Sequence, residues 1–261
     1  MTISLAAFDI DGTLAGSDSR VSERTITALT RLGEIMPVAI VTGRVAAAGE
    51  AILRRAGLSG HVVGCNGADV RAGERRLRHA MSEELVREVD EYVATRPGVT
   101  MAMLGASEIV IEETGVAFDD LVETNDGVPP RIGSLAGLPE SERLKAMIHI
   151  PRELMAVERE KLRAAFPQAV QTLPTFVEVA RPDIDKWTGL SEILQLLDIP
   201  AEEVLGIGDS ENDIAWLSRI GHPLAPISAY DSVKALCSRH IGHHGDDGVA
   251  EFIEQWLEKI S

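Results

Sequence analysis

The chain has 261 residues, 45% of them hydrophobic, and a formal net charge of −16. This length allows one large domain or two smaller ones, and the acidic balance argues against nucleic acid or an anionic membrane as a partner. With only two cysteines, we predict no disulfide framework and expect a cytoplasmic protein. No run of about 18 apolar residues occurs, so the sequence predicts no membrane span.

The first part of the chain alternates between short apolar runs and helical patterns. The run from Ile3 to Phe8 predicts a buried strand, and Ser22 is a predicted N-cap for the helix that follows. A second strand is predicted over 37–41, a second helix over about 45–56 and a third strand over 61–64.

The last part of the chain returns to the same alternation. Apolar residues recur at helical spacing over 190–197, a short apolar run covers 204–207, and the last helix has an apolar face over 252–257. Alternating strands and helices predict a Rossmann-like, doubly wound α/β fold, with a parallel sheet between two layers of helices.

The segment between these parts has a different pattern. Residues 82–181 predict helices over about 82–96, 115–123 and 153–166 and several short strands, including a hairpin over about 100–111. We therefore predict an inserted α+β domain over 82–181, and a core domain made of 1–81 and 182–261.

Four predicted strands end in polar residues, namely Asp9, Thr42, Asn66 and Asp209. The carboxyl ends of parallel strands meet at one crevice, so we expect these residues to form one site. Asp9 and Asp11 repel each other unless they share a cation or a proton, and oxygen ligands without His or Cys favour Mg²⁺. The alternative for Asp9 to Gly12 is an ordinary turn after a strand.

Six motifs stand in a fixed order along the chain: Asp9-Ile10-Asp11-Gly12-Thr13, Thr42-Gly43-Arg44, Asn66-Gly67-Ala68, Lys186, Gly208-Asp209-Ser210-Glu211-Asn212-Asp213 and Asp246-Asp247-Gly248-Val249-Ala250. This set resembles the haloacid dehalogenase-like (HAD) hydrolase superfamily, and within it the Cof-type sugar-phosphatase branch with a large inserted cap. The chain departs from the branch where Trp187 and Thr188 separate Lys186 from Gly189, and again over Gly221 to Ser228.

The resemblance implies the catalytic roles. Asp9 would be the nucleophile that forms an aspartyl-phosphate, and Asp11 the general acid and later the general base. Mg²⁺ would lie between Asp9, the backbone carbonyl of Asp11 and Asp209, with Asp213 supporting it directly or through water. Lys186 would place a positive charge beside the nucleophile and the phosphoryl group.

The resemblance also implies phosphate or substrate contacts for Thr42, Gly43, Arg44, Asn66, Lys186 and Asn212. Thr42 would offer its hydroxyl and its backbone N–H. Several of these residues have a structural alternative: helix capping for Thr42, a surface ion pair for Lys186, a helix-dipole contact for Asp213, a helix-surface position for Arg44, and loop positioning for Asn66.

The predicted function is a Mg²⁺-dependent phosphatase that hydrolyses a small phosphomonoester through an aspartyl-phosphate. A phosphomutase or phosphotransferase on the same scaffold is the alternative. A receiver module is disfavoured by the long insertion, and a non-catalytic binding protein by the complete motif set. Sugar phosphates, glycerol-type phosphates, a mannosyl-phosphoglycerate and phosphorylated cofactors all fit as substrates, and the oligomeric state is left open.

Overall fold

We analysed a computed structural model that describes residues 2–124 and 129–260. Contacts divide the chain into two compact units. The first unit consists of the residues up to Leu77 and those from Ile184 onward, and the second unit is Arg78–Asp183. The second unit is thus slightly wider than the predicted insertion over 82–181.

Among its described residues, the first part of the chain contains five strands and two α-helices. They are β1 (Leu5–Phe8), α1 (Glu23–Gly33), β2 (Val38–Val41), α2 (Ala46–Arg55), β3 (His61–Gly64), β4 (Asp69–Ala72) and β5 (Arg75–Arg78). Ser22 caps α1 as predicted, because its side chain accepts a hydrogen bond from the backbone N–H of Thr25.

The inserted part contains six strands and three helices among its described residues. They are α3 (Glu83–Ala94), β6 (Thr100–Leu104), β7 (Ile109–Ile111), α4 (Val116–Thr124), β8 (Arg131–Ile132), β9 (Lys145–His149), α5 (Arg152–Ala165), β10 (Val170–Leu173) and β11 (Phe176–Ala180).

The last part contains α6 (Lys186–Leu197), β12 (Val204–Ile207), α7 (Ile214–Leu217), β13 (His222–Pro226), α8 (Asp231–Lys234), β14 (Arg239–Ile241) and α9 (Gly248–Ile260). Within the described ranges, no helix combines the length and apolar character needed to cross a bilayer.

The first unit is built on an eight-stranded sheet with the order β14-β13-β12-β1-β2-β3-β4-β5. The strands from β14 to β3 run parallel, and β4 pairs antiparallel with β3. Alternate residues of the central strands pack on opposite sides. Ala6 and Phe8 join the core formed with α1, α2 and α9, whereas Leu5 and Ala7 join the core formed with α6, α7 and α8. The predicted doubly wound fold is confirmed.

Four strands of this sheet are absent from the sequence prediction: β4, β5, β13 and β14. β13 contains Pro223 and Pro226, and proline argues against a strand because it cannot donate to a ladder. The structure nevertheless places β13 between β12 and β14. Tertiary pairing with two parallel neighbours therefore outweighs the low strand propensity of this segment.

The second unit is built on a six-stranded sheet with the order β10-β11-β9-β6-β7-β8. One face is apolar and packs on α3 and α5 through Met103, Ile148 and Val177. The opposite face, defined by the alternate residues of β9 and β11, includes Lys145 and His149. The predicted hairpin of β6 and β7 is confirmed.

Candidate active site

The polar residues predicted to converge follow four strands that lie side by side. β12, β1, β2 and β3 are neighbours in the sheet and run parallel. Asp209, Asp9, Thr42 and Asn66 come shortly after them, at the same edge. Asp9 and Thr42 are buried there.

Lys186 connects two buried carboxylates at this edge. Its Nζ donates to Asp9 Oδ1 at 2.7 Å and to Asp213 Oδ1 at 2.7 Å. Although it is the first residue of α6, Lys186 is only 1% exposed. The alternative of a surface ion pair is therefore wrong, despite the unusual Trp187-Thr188 spacing after the lysine.

Asp213 is the hydrogen-bond acceptor that organises the loop after β12. Its Oδ2 accepts from the backbone N–H groups of Asp209 and Ser210, both at 3.0 Å. Its Oδ1 accepts from the indole Nε1–H of Trp216 at 2.9 Å, besides Lys186. Sequence reasoning missed Trp216, although it lies three positions after Asp213, which is about one turn of helix.

Three carboxylates form a cluster with the geometry of a cation site. One oxygen from each of Asp9, Asp209 and Asp213 lies within 4.8 Å of the others, and Asp209 Oδ1 is buried without a hydrogen-bond partner. Three carboxylates (−3) and the Lys186 ammonium (+1) sum to a formal charge of −2. The donor set therefore fits a hard divalent cation such as Mg²⁺.

The pKa values of the cluster reflect burial first and the crowding of negative charge second. Burial raises the pKa of Asp9 well above its ordinary value, with Lys186 opposing the shift and Asp213 adding to it. Burial, followed by the Asp213 charge, raises the pKa of Asp209 to about 7. Burial alone would lower the pKa of Lys186, but Asp213 and Asp9 raise it overall, so the lysine is charged.

Gly12 allows the turn after β1 to approach the carboxylate cluster closely. Its φ is +75°, and a Cβ at this position would collide with the carboxylate of Asp209. Both the backbone conformation and the close approach therefore require glycine. This explains in physical terms why glycine follows Asp11 in the first motif.

Thr42 is fully buried at the end of β2. Its Oγ1 accepts a hydrogen bond from the backbone N–H of Arg44 at 3.0 Å, whereas the N-cap position of α2 is Val45. Its own backbone N–H donates to the carbonyl of Val63 at 2.8 Å. The expectation that this N–H is offered to phosphate is therefore wrong, and the hydroxyl hydrogen is the donor that Thr42 retains.

Asn66 and Asn212 meet beside the second motif. Asn212 Nδ2 donates to Asn66 Oδ1 at 3.1 Å, and Ser210 Oγ donates to Asn212 Oδ1 at 2.7 Å. Asn66 has a φ of 54°, and a Cβ on Gly43 would lie 3.2 Å from Asn66 Oδ1. These residues connect the loops after β3, β12 and β2, and their contact with phosphate stays a prediction.

Arg44, which lies two residues before α2, forms a bidentate ion pair with Asp11. Arg44 Nε lies 2.9 Å from Asp11 Oδ2, and Arg44 Nη2 lies 2.5 Å from Asp11 Oδ1. The guanidinium thus binds the predicted acid–base residue. A ligand role for the Asp11 backbone carbonyl, and a substrate contact for Arg44, stay predictions.

The sixth motif, which begins with Asp246-Asp247, is hydrogen-bonded to the start of α1. Asp247 Oδ1 accepts from Ser22 Oγ at 2.7 Å and from Thr25 Oγ1 at 3.3 Å. Since Ser22 caps α1, this contact joins the motif before α9 to the start of the first helix.

Comparison with known protein families identifies the chain. The family model described as haloacid dehalogenase-like hydrolase matches residues 6–253. The chain belongs to this family. The predicted resemblance is confirmed, and so is the prediction of an enzyme, a phosphatase of the HAD type.

Individual relatives align with nearly the whole length of this chain. The HMP-PP phosphatase of Serratia proteamaculans is 27% identical over 266 residues, which cover 97% of this chain and 95% of the relative. A solved haloacid dehalogenase-like hydrolase from Bacteroides thetaiotaomicron has a TM-score of 0.84 at 24% identity, covering 98% and 100% of the two chains. The solved HAD subclass IIB sugar phosphatase BT4131 has a TM-score of 0.80 at 22% identity, covering 97% and 99%.

Proposed function

We propose that this protein is a Mg²⁺-dependent phosphatase that transfers the phosphoryl group of a small phosphomonoester first to Asp9 and then to water. The observation that carries the proposal is the ammonium of Lys186, which lies 2.7 Å from both Asp9 and Asp213, beside an Asp209 oxygen without a partner. A nucleophilic carboxylate, a fixed cation and a set of metal ligands are the groups that phosphoryl transfer needs.

In the first half-reaction, an oxygen of Asp9 attacks phosphorus and the bond from phosphorus to the ester oxygen breaks. Asp11 gives its proton to the departing ester oxygen, so that the leaving group departs as an alcohol. Lys186 stays beside Asp9, where its charge offsets the negative charge of the transferring group.

In the second half-reaction, a water molecule attacks the phosphorus of the aspartyl-phosphate. Asp11, now ionised, takes a proton from that water, and the bond from phosphorus to the Asp9 oxygen breaks. Inorganic phosphate leaves, and Asp9 regains the carboxylate that pairs with Lys186. The proton balance over both halves is zero, since Asp11 loses and regains one proton.

Asp9 and Asp209 would hold the Mg²⁺ through carboxylate oxygens, with the Asp11 carbonyl completing the protein ligands. When bound, this ion neutralises charge between nucleophile and phosphate. Asp213 would support it indirectly, because its two oxygens already accept hydrogen bonds from Lys186, Trp216 and the loop backbone.

The substrate class we propose is a small phosphorylated metabolite in the cytoplasm. The matched relative in Serratia proteamaculans is an HMP-PP phosphatase, and a structural neighbour is a sugar phosphatase. Both relatives are named as phosphatases, but their names imply different leaving groups. We therefore propose only the substrate class, and not a particular leaving group, for this chain.

The decisive experiment measures phosphate release by the purified protein from a panel with and without Mg²⁺. The panel contains p-nitrophenyl phosphate, glucose 6-phosphate, glycerol 3-phosphate, pyridoxal 5′-phosphate and HMP-PP. We expect Mg²⁺-dependent release of inorganic phosphate from at least one alkyl ester. Transfer to a second sugar hydroxyl without phosphate release would support the phosphomutase alternative.

We further propose that residues of the second unit recognise the leaving group. Its sheet face opposite α3 and α5 carries buried polar groups, which a purely structural face would not need. Lys145 Nζ lies 2.6 Å from Glu178 Oε1. His149 Nε2 lies 3.2 Å from Asp120 Oδ2, which also accepts from Thr175 Oγ1 at 2.8 Å.

Replacing Arg78–Asp183 with a short Gly-Ser linker tests this assignment. We expect weak hydrolysis of p-nitrophenyl phosphate to survive, because the carboxylate cluster and Lys186 belong to the first unit. Discrimination among the natural esters, measured as kcat/KM across the panel, should collapse. The same replacement combined with Asp9→Asn is the control for residual activity. A folded shortened protein that ranks the esters like the full chain would contradict the assignment.

A further inference from the structure

The guanidinium of Arg44 meets Asp11 in a geometry that fixes orientation. Nε and Nη2 each bind a different oxygen of the Asp11 carboxylate, at 2.9 Å and 2.5 Å. Two parallel charge-assisted bonds define the plane of both groups, which a single bond does not. Arg44 therefore sets the direction of the carboxylate as well as its distance.

Arg44 is itself held in place by both neighbouring loops. Its backbone N–H donates to Thr42 Oγ1 at 3.0 Å, and its carbonyl accepts from the backbone N–H of Cys65 at 2.8 Å. Its Nη2 also donates to the carbonyl of Ser19 at 3.3 Å. The side chain thus joins the turn after β1 to the buried edge around Thr42.

Asp11 needs such a restraint more than the other acidic residues of the site. Its side chain is 55% exposed, whereas that of Asp9 is 5% exposed and bound to Lys186. Within the described ranges, Arg44 is the side chain that donates hydrogen bonds to the Asp11 carboxylate. An exposed aspartate without this pair would sample several staggered rotamers.

The ion pair uses only part of the hydrogen-bonding capacity of the Asp11 carboxylate. A carboxylate offers about four lone-pair directions, and the two bonds from Arg44 use one on each oxygen. The remaining directions are those that could meet a leaving oxygen or a water. Holding the group in one rotamer raises the fraction of encounters with the correct geometry.

We propose that Arg44 is a positioning residue that holds Asp11 in the rotamer from which it transfers protons. This inference rests on the proposed phosphatase function, in which Asp11 is the acid and then the base. It differs from the phosphate contact that the sequence implies for Arg44, because the guanidinium would act on the leaving group through Asp11.

Arg44 could position Asp11 or contact the phosphoryl group, and the two roles predict that the effect of replacing Arg44 depends differently on the leaving group. An alkyl phosphate expels a strongly basic oxygen and depends on the proton from Asp11, whereas p-nitrophenyl phosphate expels a weakly basic phenolate. A phosphate contact would matter equally for both esters, since the phosphoryl group is the same. The informative quantity is kcat/KM, which covers the steps through formation of the aspartyl-phosphate.

The experiment compares Arg44→Ala and Arg44→Lys with the wild type on p-nitrophenyl phosphate and on the alkyl ester of the panel that is hydrolysed fastest. For Arg44→Ala we expect kcat/KM to fall about a hundredfold on the alkyl ester and less than about tenfold on p-nitrophenyl phosphate. Arg44→Lys should recover part of the loss, because it keeps the charge but not the fork. In an Asp11→Asn background, Arg44→Ala should cause little further loss on the alkyl ester.

Arg24→Ala is the matched control. Arg24 also forms a bidentate pair, with Nε 3.0 Å and Nη2 2.6 Å from the two oxygens of Glu254, but this pair joins α1 to α9 and does not involve Asp11. Arg24→Ala should leave kcat/KM for both esters unchanged.

Equal losses on the two esters with a raised KM would overturn the inference in favour of a phosphate contact. Unchanged kinetics, or a full additional loss in the Asp11→Asn background, would also overturn it. A wild-type protein that releases no phosphate from any ester would instead overturn the proposed function, and this inference with it.

Discussion

Replacing Asp9 with asparagine is expected to lower phosphatase activity by several orders of magnitude while the protein stays folded. The amide is nearly isosteric with the carboxylate, but it lacks the anionic oxygen that attacks phosphorus. Phosphate release measures the loss of activity. Acid-quenched mass spectrometry shows whether the phosphoryl group is transferred to residue 9. The wild type should carry a phosphoryl group on the peptide that contains Asp9, and the variant should not.

The stability of the same variant provides an independent check. Asp9 is buried in a cluster whose formal charge is −2, and its raised pKa shows that the metal-free site disfavours this third carboxylate. The neutral amide of the variant would remove the cost of burying this charge and the smaller repulsion from Asp213, while Lys186 keeps its contact with Asp213. In chelator, the melting temperature of Asp9→Asn should therefore equal or exceed that of the wild type.

Asp198→Asn is the control for this substitution. Asp198 ends α6, the helix that begins with Lys186, and it has a left-handed backbone that asparagine tolerates as well as aspartate does. The control should keep full activity. Turnover near the wild-type rate in a clean Asp9→Asn preparation would exclude the covalent mechanism.

The sequence was most informative about residues whose partners follow from topology. The order of parallel strands places Asp9, Thr42, Asn66 and Asp209 at one sheet edge. The carboxyl ends of parallel strands meet at that edge irrespective of how the side chains pair. The motif order supplied the rest of the candidate site, including Lys186.

What the sequence could not show were the pairings between side chains that are distant along the chain. Whether Lys186 is buried, and whether Arg44 binds Asp11, depends on how α6 and α2 are placed on the sheet. The same limit explains β13, whose prolines argue against a strand until two parallel neighbours are known. The backbone N–H of Thr42 was misassigned because sheet pairing with Val63 already uses it.

Removing Mg²⁺ is expected to abolish phosphate release, and adding it should stabilise the fold increasingly as pH rises. Burial and the Asp213 charge raise the pKa of Asp209 from 3.8 to about 7. The metal-free folded protein therefore keeps a proton on Asp209 that the unfolded chain loses near pH 4. The stabilisation from this proton is fully present below about pH 4 and is lost as pH rises through about 7.

Mg²⁺ and the proton compete for Asp209, so the ion should bind weakly at about pH 5 and fully above about pH 7. At a Mg²⁺ concentration a hundred times its Kd, binding stabilises the folded state by about 2.7 kcal/mol. Thermal melting at constant ionic strength, with and without Mg²⁺ across this range, measures the difference. In Asp209→Asn the Mg²⁺-dependent shift should disappear at every pH, because the buried oxygen without a partner belongs to this carboxylate. A wild-type shift that stayed constant or fell with rising pH, or full activity after exhaustive chelation, would show that the carboxylate cluster is not the metal site.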